Sequence, residues 1–509
     1  MSAQAFLLGL DIGTTNLKCI IVNDLLEVVA FAESEYNITT PERGRAEQDP
    51  NEWWVVLGKV VREALKNLDE KSIKEIVGIS ISSQGGTLVP VDENGQALYP
   101  AILWLDQRSK VQTDRLETEY GIDYFYLKTG WKLNAGLPLP KILWLRENEP
   151  EIFQKTFKFL NTSDYIVYKL TGKYLIDSSS ACITMLYNLI KKQWDEDILS
   201  MIGISKEKLS EIVSPGEKVG NLTNEASKNL GLPKGIPIYA GGHDQFCVAL
   251  GTGVINPGEV LLSGGTAWVL VSITDKIVFD TQNYLALEEH VIPERWGILS
   301  SIPAGGASMK WLKEILNREY KEIDEGVKDI MSKYNSLLFF PYLTGAGAPH
   351  WNLDYLGTIL GLRLEHNYRD IARSLMEGVG FEVLWTLGIL KSLGLEPKDL
   401  RIVGGCTKSP IWPQIIANIT GIDIIIPKIS ECGALGASIL AGLGSGIFSS
   451  LEDIPNLGEP RLLIPADRNR TNEYLHLFSY YKSVFDSLSR LYKEIFKNLE
   501  KGGNYAEPS

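Results

Sequence analysis

Cysteine is scarce in this chain of 509 residues, which contains five cysteines and no CxxC pair. Disulfide frameworks and structural zinc sites depend on closely spaced cysteines, so the spacing argues against both. Reduced thiols in a cytoplasmic protein are the simplest interpretation. The five residues are Cys19, Cys182, Cys247, Cys406 and Cys432.

Positive charge is also in short supply. The chain has 50 Lys and Arg against 63 Asp and Glu, which gives a formal net charge of −13. Without a basic field to recruit phosphate backbones, we expect no nucleic-acid partner. An acidic protein that handles a polyanion such as ATP must therefore concentrate cations or a metal ion at the binding site.

Several signatures of other protein classes are missing. The N-terminus lacks a basic segment followed by an apolar core, so no signal peptide is expected. The weakly polar run Gly433–Phe448 is broken by glycines and predicts a closely packed buried helix rather than a membrane span. The sequence also lacks GxxxxGK[ST], GxSxG and HExxH motifs, and no GxGxxG opens a βαβ unit. We therefore expect no membrane partner and none of the common alternative catalytic sites.

Residues 8–22, LGLDIGTTNLKCIIV, place an acid in a turn between two apolar runs. The runs predict two strands of a covered sheet. The turn offers one glycine, two hydroxyls and backbone N–H groups, a set of donors that suits phosphate. Asp11 would repel phosphate directly, so it is interpreted as a ligand of Mg²⁺, which carboxylates and phosphate oxygens hold together. The alternative is an ordinary turn in which Asp11 accepts hydrogen bonds from local amides.

The same pattern returns about half a chain later. Residues 258–272 read GEVLLSGGTAWVLVS, again an apolar run, a Gly/Thr turn and an apolar run, with Ser263 in place of the acid. Two such hairpins could hold a polyphosphate, although two unrelated hairpins are the simpler alternative. The repeat predicts two α/β halves that meet near Gly251–Gly258, where glycine and proline cluster. A helix from Asp49 to about Leu68 and a strand at Glu75–Ser82 fit this organisation.

An acid lies just before this boundary, in Ala240-Gly241-Gly242-His243-Asp244-Gln245. One interpretation is that Asp244 caps the helix that follows. The other is that the two glycines let a ligand approach and that Asp244 acts as a general base on a hydroxyl attacking a phosphoryl group. The nearby hairpins favour the second interpretation.

Seven motifs together resemble the FGGY carbohydrate kinases, most closely the xylulokinase branch. The similarity covers residues from about 6 to 450 and keeps the family's order. The motifs are DIGTTNLK, ILWLDQRS at 102–109, AGGHDQ, LLSGGTAW, FPYLTGAGAPHW at 340–351, MEGVGF at 376–381 and VGGCTKSPIWPQ at 403–414.

The resemblance implies two actin-like (ribonuclease H-like) α/β domains with ATP and a sugar meeting in the cleft between them. An N-terminal domain would span residues 1–253, with the sugar side and the first phosphate loop. A nucleotide-binding C-terminal domain would span residues 254–455. Residues 456–509 would form a helical extension that packs on the body.

The resemblance also implies roles for single residues. Asp244 would be the catalytic base and Asp11 would serve Mg²⁺. The implied ATP-binding residues are Gly13, Thr14, Thr15, Gly264, Gly265, Thr266, Gly306, Lys310, Gly405, Cys406 and Ser409. The implied substrate-binding residues are Gln84, Gly85, Gly86, Thr87, Asp106, Asp244 and Gln245.

The loop at residues 84–87, called the acceptor loop below, departs from the family pattern. Xylulokinases carry Gln-Met-His-Gly and glycerol kinases Gln-Arg-Glu-Thr where this chain has Gln84-Gly85-Gly86-Thr87. Either the pocket is larger and accepts a different or longer polyol, or other side chains reach into it. The missing arginine makes glycerol an unfavourable candidate. For Asp106, contact with the sugar and a local pairing with Arg108 are both open.

The sequence thus predicts a cytoplasmic, ATP-dependent kinase that phosphorylates a terminal hydroxyl of a ketose or polyol, with D-xylulose as the leading candidate. Ribulose, gluconate, a tetritol and glycerol are alternatives within this class. An actin-like or chaperone-like ATPase is an alternative of another class, and a homodimer is possible. ATP and Mg²⁺ are the expected cofactors.

Overall fold

The computed structural model describes residues 5–332 and 337–501. Its contacts separate the chain into two compact units, neither of which is continuous in sequence. The first unit comprises residues up to 255 together with 273–297 and 431–459, and the second comprises 256–272, 298–430 and the residues from 460 onward. The two units are described separately below.

The strands and helices follow in chain order. The strands are β1 Phe6–Ile12, β2 Asn16–Asn23, β3 Val28–Glu35, β4 Glu47–Gln48, β5 Ile76–Ser83, β6 Val89–Val91, β7 Ala101–Ile102, β8 Lys158–Leu160, β9 Leu175–Asp177, β10 Tyr187–Asn188, β11 Gln193–Trp194, β12 Glu211–Val213, β13 Lys218–Asn221, β14 Pro237–Tyr239, β15 Gly242–His243, β16 Glu259–Gly264, β17 Trp268–Thr274, β18 Ala286–Glu289, β19 Trp296–Ile302, β20 Leu338–Phe340, β21 Thr358–Leu360, β22 Asp399–Val403, β23 Ile424–Pro427 and β24 Pro460–Ile464. The helices are α1 Pro50–Leu65, α2 Glu70–Lys74, α3 Lys110–Tyr120, α4 Ile122–Thr129, α5 Pro138–Asn148, α6 Pro150–Lys155, α7 Thr162–Thr171, α8 Ser178–Cys182, α9 Glu196–Ile202, α10 Asn224–Leu230, α11 Asp244–Gly251, α12 Gly305–Leu316, α13 Tyr320–Ile330, α14 Tyr368–Ser392, α15 Trp412–Thr420, α16 Cys432–Ser445 and α17 Arg468–Lys501.

The first unit is built on a mixed sheet in the order β13–β14–β5–β1–β2–β3, with β15 also paired to β5. β1, β2 and β3 form an antiparallel meander, whereas β5 runs parallel to β1 and β14 parallel to β5. The strands are apolar because helices cover the sheet, which is what the continuous apolar runs of the sequence predict. The hairpin predicted around Asp11 is therefore confirmed.

Helices α1 and α16 cover this sheet. The apolar face of α1 packs on β2 and β3, and its N-cap Asp49 accepts a hydrogen bond from the Asn51 N–H at 2.9 Å. Helix α16 packs on β1 and β5 and is buried along most of its length. A Cβ on Gly9 of β1 would collide with the Ala434 carbonyl and the Ser438 hydroxyl. The small residues that the sequence shows in α16 and β1 thus permit a close helix–sheet approach.

The second unit repeats the plan. Its sheet strands follow the order β19–β17–β16–β22–β23–β24, in which β16 and β17 form an antiparallel hairpin and β22 runs parallel to β16. β23 is parallel to β22, and β24 is antiparallel to β23. The second predicted hairpin is confirmed, and Ser263 occupies the place in β16 that Asp11 has in β1. The α/β fold with a repeated, ribonuclease H-like sheet agrees with the prediction.

Helices α14 and α17 complete the second unit. α14 packs against α12, α13, α15 and β20, and α17 packs against α15. Helix α17 lies within the helical extension predicted for residues 456–509, but that segment also contributes strand β24 to the sheet. Within residues 5–332 and 337–501, no helix combines the length and the hydropathy needed to cross a membrane.

Candidate active site and nucleotide pocket

Three neighbouring parallel strands of the first unit end at the same edge of the sheet. Asp11 of β1 lies opposite Ser82 of β5, and β15 pairs with the end of β5 through Gly242–Ser82 and His243–Ser83. Gln84 follows β5 and Asp244 follows β15. Ligands of open α/β sheets bind at the carboxyl ends of the strands, so this edge is the candidate active site.

Asp244 is the first residue of α11, and its carboxylate keeps 25% exposure. The helix-cap alternative required Asp244 at the N-cap position, but His243 occupies that position. The Gln245 side-chain amide donates to Asp244 Oδ1 at 3.2 Å. Burial raises the pKa of Asp244, and His243 and Gln245 act in the opposite direction. A carboxylate in this setting can accept a proton from a hydroxyl.

The two glycines before Asp244 have a packing role that differs from the predicted one. A Cβ on Gly241 would collide with the Ile81 carbonyl oxygen, and a Cβ on Gly242 would collide with Val291. Close packing of β15 on β5 and on its neighbours therefore accounts for both glycines, with no need for an approaching ligand.

His243 links Asp244 to a buried acid that the sequence analysis did not single out. Its Nδ1 lies 3.0 Å from Glu288 Oε2, and its Nε2 lies 3.2 Å from Asp244 Oδ1. The Glu288 side chain has no exposed surface. Burial lowers the pKa of His243, but Glu288 and the other nearby carboxylates outweigh it and raise the pKa to about 9. The available signal was an acidic pair within the apolar segment LALEEHVI at 285–292.

Asp11 has the environment that a metal ligand needs. Ser82 donates to Asp11 Oδ1 at 2.7 Å, and burial with the nearby Asp244 raises the pKa of Asp11 to about 6. Gly433 leaves room beside the other oxygen, because a Cβ there would lie 2.9 Å from Asp11 Oδ2. The described residues hold no cluster of three or more metal-ligating side chains. The site fits Mg²⁺, which one carboxylate can hold together with phosphate oxygens.

The acceptor loop follows β5 and is tightly packed. Gln84 donates to Gln48 Oε1 at 3.3 Å, and its backbone N–H donates to the Ile12 carbonyl at 2.8 Å. A Cβ on Gly85 would lie 2.7 Å from Ile183 Cδ1 and 2.8 Å from His243 Nε2. Gly86 has a φ of 71°, a left-handed conformation that favours glycine. Other side chains therefore fill the space beside Gly85.

Buried polar atoms without partners surround this loop. Buried polar groups are nearly always hydrogen-bonded, so a local group of exceptions suggests a ligand site. Within the described residues, three side-chain atoms of the loop and of the residue after Asp244 lack a hydrogen-bond partner: Gln84 Oε1, Thr87 Oγ1 and Gln245 Oε1.

Lys141 fixes the backbone of the acceptor loop, a role that the sequence analysis did not predict. Its Nζ is fully buried and donates to the carbonyls of Gly86 at 2.8 Å, Leu103 at 2.7 Å and Gly136 at 2.6 Å. Burial lowers the pKa of Lys141 well below its usual value. The signal in the sequence was a single lysine in the apolar segment LPLPKILWL at 137–145.

Asp106 has no exposed surface and forms a buried ion pair with Arg108 at 2.7 Å. Its Oδ2 also accepts the Ala46 N–H at 2.7 Å, and Arg108 bonds to Glu47 at 2.6 Å. The local pairing that the sequence analysis left open is present. Contact between Asp106 and a sugar stays a prediction.

The turn of the first hairpin contains Gly13, Thr14 and Thr15. The Gly13 N–H donates to the Asn16 carbonyl at 3.0 Å, and Tyr36 OH bonds to the Gly13 carbonyl. The Thr14 hydroxyl accepts the Trp104 indole N–H at 3.0 Å, and Thr15 is exposed. The turn is thus fixed by side chains from elsewhere in the first unit.

One pocket of the second unit brings together all eight ATP-binding residues predicted there. Its volume is about 870 Å³, within the range of small-molecule sites. The eight are Gly264, Gly265, Thr266, Gly306, Lys310, Gly405, Cys406 and Ser409. The Ser409 hydroxyl donates to Asp324 Oδ1 at 2.7 Å and accepts the Trp412 N–H at 3.1 Å, so it also fixes the start of α15.

The glycines of this pocket divide into two kinds. A Cβ on Gly264 would collide with Cys406 Sγ, and a Cβ on Gly306 would collide with the Gly265 carbonyl. A Cβ on Gly265 would meet only the Ala267 carbonyl at 3.5 Å, and one on Gly405 only the Gly264 carbonyl at 3.9 Å. Packing explains the first pair, whereas the second pair keeps the pocket open.

The repeated sheets, the acid at the strand ends and the pocket define a two-domain kinase of the actin-like ATPase type. Comparison with known families gives the same result. The N-terminal domain of the FGGY family of carbohydrate kinases matches residues 6–251, and the C-terminal domain matches residues 260–445. The chain therefore belongs to the FGGY family of carbohydrate kinases.

Individual relatives include more than one sugar kinase. A xylulose kinase of Staphylococcus epidermidis is 32% identical over 97% of this chain and 98% of its own length. The solved structure of a xylulose kinase from Rhodospirillum rubrum has a TM-score of 0.88 at 26% identity and covers 96% of this chain and 100% of its own. That of a gluconate kinase from Lactobacillus acidophilus has a TM-score of 0.91 at 25% identity and covers 97% and 100%.

Proposed function

We propose that this carbohydrate kinase transfers the terminal phosphoryl group of ATP to a terminal hydroxyl of a ketose or polyol, with D-xylulose as the leading candidate. The observation that carries the proposal is the position of Asp11, Gln84 and Asp244 at the ends of three adjacent parallel strands. The identity of 32% to a xylulose kinase supports the choice of D-xylulose.

Asp244 is the proposed general base. It would accept the proton of the acceptor hydroxyl as that oxygen attacks phosphorus, and Gln245 would hold the carboxylate in place. General bases contribute about 10²–10⁴-fold, and the remaining acceleration of phosphoryl transfer comes from alignment and charge neutralisation.

The acceptor is proposed to bind beside the loop at 84–87. Hydroxyl groups of a ketose or polyol can both donate and accept, so they can satisfy the carbonyl oxygens of Gln84 and Gln245 and the hydroxyl of Thr87. Gln84, Gly85, Gly86, Thr87 and Gln245 are the proposed substrate-binding residues, with Gly85 and Gly86 forming the backbone of the loop.

The nucleotide is proposed to bind in the 870 Å³ pocket of the second unit. Gly265 and Gly405 give its phosphates access to backbone N–H groups, and Lys310 supplies positive charge. Gly13, Thr14 and Thr15 are also proposed as phosphate-binding residues. Mg²⁺ would be held by Asp11 and, when bound, would neutralise phosphate charge.

The alternatives differ in how they respond to a sugar. Family membership favours a kinase over an actin-like or chaperone-like ATPase, whose turnover would not depend on an acceptor. Release of ADP should be measured with D-xylulose, D-ribulose, erythritol, glycerol and D-gluconate and without any sugar. A rate that no sugar increases would contradict the proposal.

The Asp244→Asn variant tests the base. We expect kcat to fall by 10²–10⁴-fold while ATP still binds, because the amide cannot accept the proton. Asp114→Asn is the matched control, since Asp114 forms a surface pair with Lys110 that contributes little. Near-normal turnover by Asp244→Asn would exclude Asp244 as the base.

We also propose that the protein acts in the cytoplasm, where ATP is available and thiols stay reduced. All five cysteines are buried. A homodimer stays a prediction, which light scattering of the purified protein would test.

A further inference from the structure

Glu288, His243 and Asp244 form a hydrogen-bonded chain that ends at the candidate base. The two contacts measure 3.0 Å and 3.2 Å and use both nitrogens of the imidazole ring. Glu288 comes from β18, a strand remote in sequence from α11. The chain is therefore a product of the fold and not of a local motif.

The His243 ring has little freedom to turn. Its backbone N–H donates to Ser179 Oγ at 3.0 Å, and its ring packs edge-to-face on Phe246 with 5.8 Å between centroids. Gly85 lies against Nε2, so the acceptor loop also touches the ring. A ring fixed on these sides transmits the position of Glu288 to Asp244.

The charged groups around the Glu288–His243–Asp244 hydrogen bonds are mostly negative. The negative charges of Glu288, Asp244 and Asp177 raise the pKa of His243, and the charge of Asp244 raises the pKa of Asp11. Burial raises the pKa of Glu288, and the contacts with His243 and the Trp131 indole oppose that rise. With its pKa near 9, His243 carries a proton at neutral pH and donates to both carboxylates. Lys18 of β2 lies opposite Asp11 and lowers the pKa of Asp11.

Both N–H groups of His243 are thus used by protein carboxylates. A sugar acid entering this site would bring a further negative charge beside Asp244, and His243 could not pair with it. Like charges at short range in a partly buried site repel strongly. A neutral acceptor brings hydroxyl groups and no such repulsion.

We propose that Glu288 is a positioning residue that holds Asp244 through His243 and that, because Glu288 and Asp244 occupy both N–H groups of His243, the site favours neutral ketoses or polyols over aldonates. This inference rests on the proposed kinase function and deepens it, because the similarity to both xylulose and gluconate kinases leaves the acceptor's charge open. The Trp131 indole also contacts Glu288.

Wild-type kinetics give the first test. Two pairs of acceptors match carbon number and differ in charge: D-xylulose with D-xylonate, and D-glucitol with D-gluconate. We expect kcat/KM for the better neutral acceptor to exceed that for either acid by at least tenfold. A preference for an acid overturns this inference and leaves the kinase function intact. Failure of every acceptor removes the kinase function and this inference with it.

The Glu288→Gln variant gives the second test, with Glu289→Gln as the matched control. Glu289 is the next residue of β18 but bonds to Tyr187 at 3.1 Å and Lys192 at 3.1 Å instead of His243. At high pH His243 loses the proton that it shares with the two carboxylates, and kcat/KM for the neutral acceptor should fall. Loss of the Glu288 charge lowers the pKa of His243, so this alkaline fall should move to lower pH. The preference for neutral acceptors should shrink severalfold. The control should change neither.

A purely structural role for Glu288 predicts a different result, namely lower activity with an unmoved pH profile and an unchanged preference. That result in a folded Glu288→Gln protein would overturn the inference. If the variant does not fold, the wild-type protein still provides the test: its preference for neutral acceptors and a fall of kcat/KM at alkaline pH are both required.

Discussion

Gly85 lies against two side chains that would have to move if the residue were larger. Ile183 Cδ1 and His243 Nε2 stand 2.7 and 2.8 Å from the position of a Cβ. The space beside Gly85 is therefore filled by neighbouring side chains. We expect Ile183 and His243, and not an enlarged pocket, to determine what can bind at this position.

The Gly85→Ala substitution should lower kcat about tenfold or more with every acceptor, because the added carbon displaces His243 and with it Asp244. Steady-state kinetics over the acceptor panel provide the measurement. Adding Ile183→Val, which removes Cδ1, should restore part of the activity, and Ile183→Val alone is the control. An altered acceptor preference at undiminished kcat would show instead that position 85 faces the sugar directly.

The chemistry of single residues explains which parts of the site could be predicted. Asp11 and Asp244 stand out because each is an acid that interrupts apolar sequence, although the glycines beside Asp244 serve packing. Glu288 could not be assigned, since its role depends on which strand brings it to His243. Lys141 could not be assigned either, because its partners are backbone carbonyls, which carry no sequence signal.

At the scale of elements, two buried carboxylates of α14 hold α17 in place. Glu382 accepts hydrogen bonds from Tyr342 at 2.7 Å and Tyr481 at 2.8 Å and contacts His350 at 2.9 Å. One turn earlier, Glu377 bonds to Arg373 at 2.7 Å and accepts from Tyr474 at 2.8 Å. Tyr342 and His350 belong to FPYLTGAGAPHW, so this motif has a structural role within the second unit.

The Tyr481→Phe substitution should lower the free energy of unfolding by about 1–2 kcal/mol at pH 7, because a buried charged acceptor loses a donor. Denaturant unfolding at pH 7 gives the measurement. Tyr480→Phe, at an exposed position of the same helix, is the control and should change little. An equal loss in both variants would mean that helix propensity, and not Glu382, is responsible.

The difference in the free energy of unfolding between wild type and Tyr481→Phe should depend on pH. Burial alone would raise the pKa of Glu382, but His350 and the two tyrosines outweigh it and lower the pKa. A carboxylate whose pKa is lower in the folded than in the unfolded protein stabilises the fold at pH values above the unfolded pKa of about 4.3. This stabilisation is lost as the pH falls through the folded pKa. The gap between wild type and Tyr481→Phe should therefore narrow on acidification below about pH 4.

Elements with strong local signals were predictable. The two hairpins, α1 and the buried helix α16 follow from apolar periodicity, turn residues and an N-cap, and the structure confirms them. The return of residues 431–459 to the first unit has no such signal. Gly and Ala in α16 indicate close packing, but only the fold determines that the partners are α11, β1 and β5.

At the scale of the whole molecule, the sheet plan occurs twice but the two copies carry different chemistry. The first unit has acids at the strand ends, whereas the second has Ser263 at the corresponding place and an open pocket beside it. This division predicts that acceptor and nucleotide affect the stability of the protein independently when each is added alone.

The Gly265→Val substitution tests this division. A Cβ at position 265 meets only the Ala267 carbonyl oxygen, at an ordinary contact distance of 3.5 Å, so the variant should fold, while the side chain should obstruct the pocket. For wild type, a non-hydrolysable ATP analogue at 100 times its Kd should stabilise the fold by about 2.7 kcal/mol, seen as a higher Tm. In Gly265→Val this rise should vanish, and the rise caused by D-xylulose should persist because Asp244 and the acceptor loop are unchanged.

Gly388→Val is the matched control, since Gly388 is an exposed residue of α14 with no atom within 4 Å of its Cβ position. It should keep both ligand-induced shifts because it does not line the pocket. A Gly265→Val protein that still responds to the ATP analogue would place the nucleotide elsewhere. Loss of both shifts would mean that the substitution acts on the fold. Only the selective loss fits a nucleotide bound against Gly265, because side-chain bulk there meets the ligand before it meets the protein.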